Sequence, residues 1–315
     1  MEANDNKPFR VTVIGNGAAI PSAGKYHSAQ VVNVHGQMFL MDCGEGSQKA
    51  MLESGLNPQK LKAIFISHLH GDHIYGLFPL LDTLGLSQRS QPLQVYAPPG
   101  LSELLNCVSN TMYRGYTYNI VYREVDTNTH RLIYESKEIE IWSLPLQHRV
   151  PSSGYLVREK APGPNIRREA IELYAPSVDE ILNIKKGGDL LRNGSTIANH
   201  ELTYTPYVPR SYAYCTDTVF SESLIDMVKG TDLLYHEASF AAKDKKLATL
   251  NGHSTTTQAA EIALRAGVRK LLIGHFSLRY KDPLILVEEA RTAFPRTEEA
   301  VEGKTYEIVK LRNKI

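Results

Sequence analysis

Apolar and polar positions change period repeatedly along the chain. Residues 10–15 (RVTVIG), 29–34 (AQVVNV) and 37–42 (QMFLMD) are short runs rich in Val, Ile, Leu and Met, separated by Gly-containing turns, which is the pattern of strands. From Glu45 to Ser54 the spacing becomes helical and stops at Gly55, and residues 62–67 (KAIFIS) read as a short buried strand. The same criteria predict a helix from about Asp72 to Leu86. They also predict strands at LQVYA (93–97), IEIWSL (139–144), SYAYC (211–215), DLLYHE (232–237) and KLLIG (270–274), with helices at Leu101–Met112, Thr255–Ala266 and Leu284–Ala293. Strands and helices alternate throughout, so the fold class is α/β. Residues 158–210 break the rhythm with APGPN, the pair Lys185-Lys186, GGD and further Pro-containing turns; they read as a segment inserted into an otherwise single domain over 1–315, a small helical arm.

Composition narrows the class without choosing a function. The 315 residues are 42% hydrophobic and 22% charged, ordinary for a compact globular chain able to bury a sizeable core. No apolar run approaches the roughly 18 residues of a membrane span, and the start MEANDNKPFR has no apolar signal region, so a cytoplasmic location is expected. Cys43, Cys107 and Cys215 show no CxxC spacing and cannot all pair, which fits a reducing compartment. A net charge of +1 argues against a uniformly basic nucleic-acid binder and leaves room for a local patch.

The chemistry concentrates in FISHLHGDHIYG (65–76). His68 and His70 are two apart, so at a strand end both side chains project to one side and can share a metal ion. Gly71 permits a tight turn, and Asp72 and His73, entering a helix, can point at a second ion nearby. Histidine nitrogens with a carboxylate are donors that zinc prefers. A single histidine is more often a satisfied structural residue; an HxHxDH cluster after an apolar strand is better explained by metal.

This motif resembles that of the metallo-β-lactamase superfamily, which implies a dinuclear site in an αββα four-layer sandwich. The superfamily pattern adds a later His, an Asp and a final His, each after a strand. The matching positions are His148, Asp217 and His275, although Asp217 taken alone reads as a turn or helix-capping aspartate. The implied ligand sets are His68, His70 and His148 on one ion, Asp72, His73 and His275 on the other, and Asp217 between them. A hydroxide between two zinc ions per subunit, or another divalent pair, is the implied nucleophile.

Across nearly the whole chain the motifs are similar to those of ribonuclease Z: MDCGEGSQ (41–48), HRVPSSGY (148–155), YAYCTDT (212–218), HEASF (236–240), GHST (252–255) and GHFSLRY (274–280). The resemblance implies endonucleolytic removal of the 3′ trailer from precursor tRNA by a homodimer, leaving a 3′-hydroxyl on the tRNA and a 5′-phosphate on the trailer. Expelling a 3′-oxygen calls for a proton donor, and His253 fits that task with Glu237 as its carboxylate partner. Helix capping by Glu237 and loop bracing by His253 are the plainer alternatives. Asp72 is implied as an additional group orienting the attacking water, and Arg279 as a phosphate contact. A further basic stripe could come from Arg265, Arg269, Lys270 and Lys281, which helical amphipathicity explains almost as well.

Two departures stand out. The segment 158–210 occupies the place of the family's basic tRNA-gripping arm, but it holds eight Lys/Arg against seven Asp/Glu, with Lys185 and Lys186 as its concentrated charge. The first loop reads Pro21-Ser22-Ala23-Gly24-Lys25-Tyr26-His27 where bacterial relatives often show Pro-x-Lys-x-Arg-Asn, leaving Lys25 as a partial substitute. Competing readings are another dinuclear-metal phosphodiesterase or small-ester hydrolase on this fold, and a catalytically inactive tRNA-binding factor. His27, His35, His130, His200 and His236 match no motif position.

Overall fold

The structure is a computed structural model that describes residues 7–112, 115–311 and 313. It divides into two compact units, one comprising the chain up to Arg158 together with Ser211–Ile308, the other Glu159–Arg210 with the residues from Val309 onward. In the larger unit the chain lays down β1 (Phe9–Gly15), β2 (Ala29–Val34), β3 (Gln37–Met41), α1 (Ser47–Glu53), β4 (Leu61–Phe65), α2 (Gly71–Ile74), α3 (Leu77–Leu86), β5 (Leu93–Ala97), α4 (Leu101–Met112) and β6 (Ile120–Glu124). It continues with β7 (Leu132–Glu135), β8 (Ile139–Leu146) and β9 (Ser152–Glu159).

The smaller unit carries β10 (Asn165–Ile166), α5 (Arg168–Tyr174), α6 (Val178–Lys185), β11 (Leu190–Arg192), β12 (Ser195–Ile197), α7 (Asn199–Leu202) and β13 (Thr203–Tyr204). Its core is small, formed by Ala170, Ile184, Leu190 and Leu202. Because that core is small, polar ties share the work: Ser177 and Glu180 close a capping box on α6, Arg192 pairs with Glu180, and buried Arg210 donates to Glu159. Its strands are two-residue and three-residue ladders, so the segment is mixed where a helical arm was expected.

The chain returns to the larger unit with β14 (Ser211–Cys215), α8 (Ser223–Met227), β15 (Leu233–Glu237), α9 (Lys245–Asn251), α10 (Thr256–Ala266), β16 (Lys270–Gly274), α11 (Leu284–Ala293), β17 (Thr297–Glu299) and β18 (Thr305–Glu307). Two seven-stranded sheets result, ordered β18-β1-β2-β3-β4-β5-β6 and β17-β16-β15-β14-β9-β8-β7. Period-two alternation decides which layer each side chain enters. In β3, Phe39 and Met41 face the core between the sheets, while Met38 and Leu40 join the core under the helices; in β14, Tyr212 and Tyr214 face inward and Ala213 and Cys215 outward. The outer faces are covered by α1, α3 and α4 on one sheet and by α8, α10 and α11 on the other, giving an α/β/β/α layering. Among the described residues no helix is long and apolar enough to cross a membrane.

The expected helix from Asp72 to Leu86 is broken. α2 ends at Ile74 and α3 begins at Leu77, where the Gly76 N–H leaves the helix for the Cys43 carbonyl, and only glycine fits there because a Cβ would lie 2.0 Å from the carbonyl oxygen of Gly44. The Gly76 N–H donates to the Cys43 carbonyl and the Cys43 N–H to the His73 carbonyl, so the break brings residues 42–44 against the histidine motif. Gly71 is needed for space as well: a Cβ there would meet the Tyr75 ring at 2.3 Å. Lys25 is exposed in the loop between β1 and β2, and Lys185 and Lys186 are exposed at the end of α6.

Candidate metal centre

All seven expected ligands come together in the larger unit. His68 and His70 lie in the loop that follows β4, past the end of the ladder and not within it; Asp72 and His73 sit on α2; His148, Asp217 and His275 follow β8, β14 and β16. Each thus leaves the carboxyl end of a strand, where an open sheet ends and a crevice begins.

The donor atoms form two groups. His68 Nε2 and His148 Nε2 lie 2.9 and 3.4 Å from His70 Nδ1. On the other side Asp72 Oδ2 is 3.4 Å from both His73 Nε2 and His275 Nε2. Asp217 divides its oxygens between the groups: Oδ2 is 3.7 and 3.8 Å from His68 Nε2 and His148 Nε2, and Oδ1 is 3.7 and 3.4 Å from His73 Nε2 and His275 Nε2. Donors of a tetrahedral ion with bonds of about 2.0–2.1 Å lie about 3.3–3.4 Å apart, so this spacing fits divalent metal. A second observation agrees: His73 Nε2 is buried with no hydrogen-bond partner, a cost that a ligated ion removes.

The remaining ring nitrogens are anchored. His73 Nδ1 is 2.7 Å from Asp42 Oδ2, His148 Nδ1 is 2.7 Å from the Gly252 carbonyl, and His275 Nδ1 is 3.1 Å from Ser239 Oγ. Such contacts set the tautomer and hold each ring in place. His275 itself sits at φ 60°, a strained conformation for a non-glycine residue, and its N–H donates to Asn16 Oδ1. Tyr235 from the inter-sheet core donates to the same Asn16 oxygen, and Tyr214 donates to Asp42 Oδ2, so the buried tyrosine layer is fastened to the site.

Sequence reasoning missed Asp42, Asn16 and Ser239. Asp42 is fully buried at φ 54° and accepts from the Ser67 N–H, Ser67 Oγ and Tyr214 as well as facing His73. Its place in MDCGEGSQ was visible; its partner was not. Asp42→Ala is expected to weaken metal binding by about 10- to 100-fold through loss of the His73 anchor. Equilibrium titration of the metal-free variant with Zn2+ checks this, and an unchanged affinity would remove Asp42 from the role.

Glu237, the last residue of β15, is buried and accepts from the backbone N–H groups of Ser239 and Ser254, at 2.8 Å each. His253 Nδ1 lies 3.1 Å from Glu237 Oε1 and 4.0 Å from Asp217 Oδ2. Burial pushes the His253 imidazole down, but the Glu237 carboxylate first and Asp217 after it raise it to about 9. Burial likewise pushes the Asp72 and Asp217 carboxyls up, and the surrounding histidines override it, holding both well below the usual carboxylate range. The site therefore offers ionised carboxylates to cations and one imidazole poised to carry a proton.

His70, Asp72, His148, Asp217 and His275 line a cavity of about 350 Å3 whose wall also includes His253, Arg279 and Ala18–Ile20 of the first loop. Arg279 is pre-positioned, with its guanidinium 5.7 Å over the Phe240 ring and 3.6 Å from Asp244. Lys25 does not line this cavity, and Lys185 and Lys186 belong to the smaller unit. The expected basic stripe is largely neutralised: Arg265 pairs with Glu222 and Glu261, Arg269 with Asp232 and Lys270 with Glu298.

Comparison with known proteins follows the same lines. The family model described as Anti-Pycsar protein Apyc1 matches residues 9–160, a span that holds His68 to His148 but stops short of Asp217, Glu237, His253 and His275. A ribonuclease Z of Bacteroides fragilis strain YCH46 is 42% identical over 290 residues, 92% of this chain and 95% of that protein. A ribonuclease Z of Porphyromonas gingivalis strain W83 is 40% identical over the same share of this chain and 95% of its own length. Among solved structures, the short form of human tRNase Z is similar with a TM-score of 0.69 and 25% identity, covering 95% of this chain and 99% of that one. A metallo-β-lactamase fold protein from Bacillus subtilis aligns with a TM-score of 0.68 at 22% identity, covering 95% of this chain and 99% of that one, a likeness of fold. The α/β/β/α layering is thus that of metallo-β-lactamase fold proteins, the two donor groups suit divalent metal, and the identity over nine-tenths of its length places the chain in the ribonuclease Z family.

Proposed function

We propose that the protein removes the 3′ trailer from precursor tRNA by metal-dependent phosphodiester hydrolysis. The observation that carries this reading is the adjacency of an Asp217-joined donor set to His253 braced by Glu237, beyond what metal binding alone requires. We assign His68, His70, His148 and Asp217 to one ion and Asp72, His73, His275 and Asp217 to the other, two Zn2+ per subunit. Ions held by these residues would supply Lewis acidity, lowering the pKa of bound water and drawing charge from the phosphodiester oxygens. The chain's own residues do the rest. Asp72, ionised and facing the cavity, orients the attacking water. His253 gives its proton to the departing 3′-oxygen while Glu237 holds the ring and stabilises its charged form. Arg279 steadies the phosphate from the cavity wall. The products are a tRNA 3′-hydroxyl and a trailer 5′-phosphate.

The test is cleavage of a precursor tRNA bearing a 3′ trailer, mapped to the nucleotide. A single metal-dependent cut next to the discriminator base supports the reading. No cut, from protein that hydrolyses a small phosphodiester, moves the substrate elsewhere.

We assign residues 159–210 as an arm for tRNA, with Lys185 and Lys186 as its exposed charge, and Lys25 as a contact near the tRNA 3′ end. The homodimer and the cytoplasmic location belong to the same proposal. Deleting 165–200 is expected to lower cleavage of precursor tRNA by roughly tenfold or more while a small diester is turned over at the original rate. Equal losses on both substrates would make the segment structural.

A further inference from the structure

The segment between the two members of the Glu237–His253 pair, AAKDKKLATLNG (241–252), contains an unexplained concentration of charge. Lys243, Lys245 and Lys246 are exposed, and among the described residues none of them has a carboxylate partner. The one acid among them, Asp244, is engaged by Arg279 and by the Tyr280 hydroxyl, so it leaves the lysines unneutralised. Their contrast with the ion-paired Arg265, Arg269 and Lys270 on the same unit is direct.

Lys245 and Lys246 open α9 directly behind Asp244, its N-cap residue. The lysines line a depression that includes Leu247, and Leu247 also lines the metal cavity, so the two surfaces are continuous. His253 is joined to the segment through its N–H, which donates to the Ala248 carbonyl.

We infer that Lys243, Lys245 and Lys246 form a track for the phosphate backbone of the RNA strand on the 5′ side of the scissile bond. This rests on the proposed function, which supplies the direction. His253 protonates the departing 3′-oxygen, and that oxygen belongs to the nucleotide 5′ of the cut. The strand running back from it therefore leaves the cavity on the His253 side, where the lysines stand. Three ammonium groups without carboxylates suit a polyanion, because phosphates can exchange counterions for them without first displacing a protein partner.

The experiment compares the metal-loaded wild type with the triple variants K243A/K245A/K246A and K243R/K245R/K246R. On precursor tRNA the alanine variant is expected to show a KM raised by roughly tenfold. The slope of log(kcat/KM) against log[salt] should become shallower by about two. The arginine variant should restore both. Hydrolysis of bis(p-nitrophenyl) phosphate, too small to span cavity and track, reports on the metal site of the same preparations and should be equal in all three. An alanine variant with the wild-type KM and salt slope overturns the track, and so does a loss of equal size on the small diester. If the wild type itself hydrolyses the small diester but cuts no precursor tRNA, the functional reading has failed and the track falls with it. If the wild type cuts normally and the variants match it, the track alone has failed.

Discussion

Asp217→Ala should abolish turnover almost completely, by about a thousandfold or more, on precursor tRNA and on a small diester alike. The reason is geometric. Asp217 is the residue whose two oxygens face both donor groups, Oδ2 toward His68 and His148, Oδ1 toward His73 and His275. Without it the first group consists of three imidazoles with no compensating negative charge, and ions held by the two groups would lose the carboxylate that faces both. Metal chemistry of this kind is worth several kcal/mol in the transition state, and about 4 kcal/mol corresponds to that thousandfold. The measurement pairs metal content per chain with steady-state rates. Asp217→Asn separates charge from shape, since it keeps the size of the side chain and one coordinating oxygen but removes the negative charge. Two tightly held ions and normal turnover in the alanine variant would exclude Asp217 as the shared ligand.

The same residue shows why much of this site was legible in sequence. The strands that lead to the ligands are mostly buried, and such strands announce themselves by composition: SYAYC (211–215) and KLLIG (270–274) coincide with β14 and β16. What lay outside local pattern was set by contacts between distant residues. Asp42 meets His73 from 31 residues away and Tyr214 from 172, and no period in the sequence encodes either meeting. The break between α2 and α3 belongs to the same class, because the Gly76 N–H is taken by the carbonyl of Cys43, more than 30 residues away. In residues 158–210 the period is weak because few side chains are buried, and the ladders form through two-residue and three-residue pairings too short to leave an alternation. The stripe of Arg265, Arg269 and Lys270 misled for a related reason: its neutralising carboxylates come from other elements, Glu222, Asp232 and Glu298.

His253→Ala should separate proton transfer from metal binding. General acid catalysis contributes about 10²- to 10⁴-fold, so cleavage of precursor tRNA should slow by that order while metal content stays at the wild-type value. The substrate dependence is the sharper test. A p-nitrophenolate leaves without needing a proton, so bis(p-nitrophenyl) phosphate should lose far less rate than RNA, whose 3′-oxygen is a poor leaving group. The pH profile adds a third readout. His253 is held up to about 9, so it is protonated at neutral pH, and the donor is lost as pH rises through about 9. Wild-type cleavage should therefore fall on the alkaline side there, and the variant should lack that limb. The linkage has the same sign, since the folded state holds this proton more tightly than the unfolded chain, whose imidazole titrates near 6.5. The associated stability is full below that value and lost as pH rises to about 9. Glu237→Gln should keep the ring's neighbour but remove its charge, moving the alkaline limb to lower pH. A His253→Ala enzyme that loses equal rate on both substrates and retains the alkaline limb would reduce His253 to a brace for Ser254 and Thr255, the plainer role its position allows.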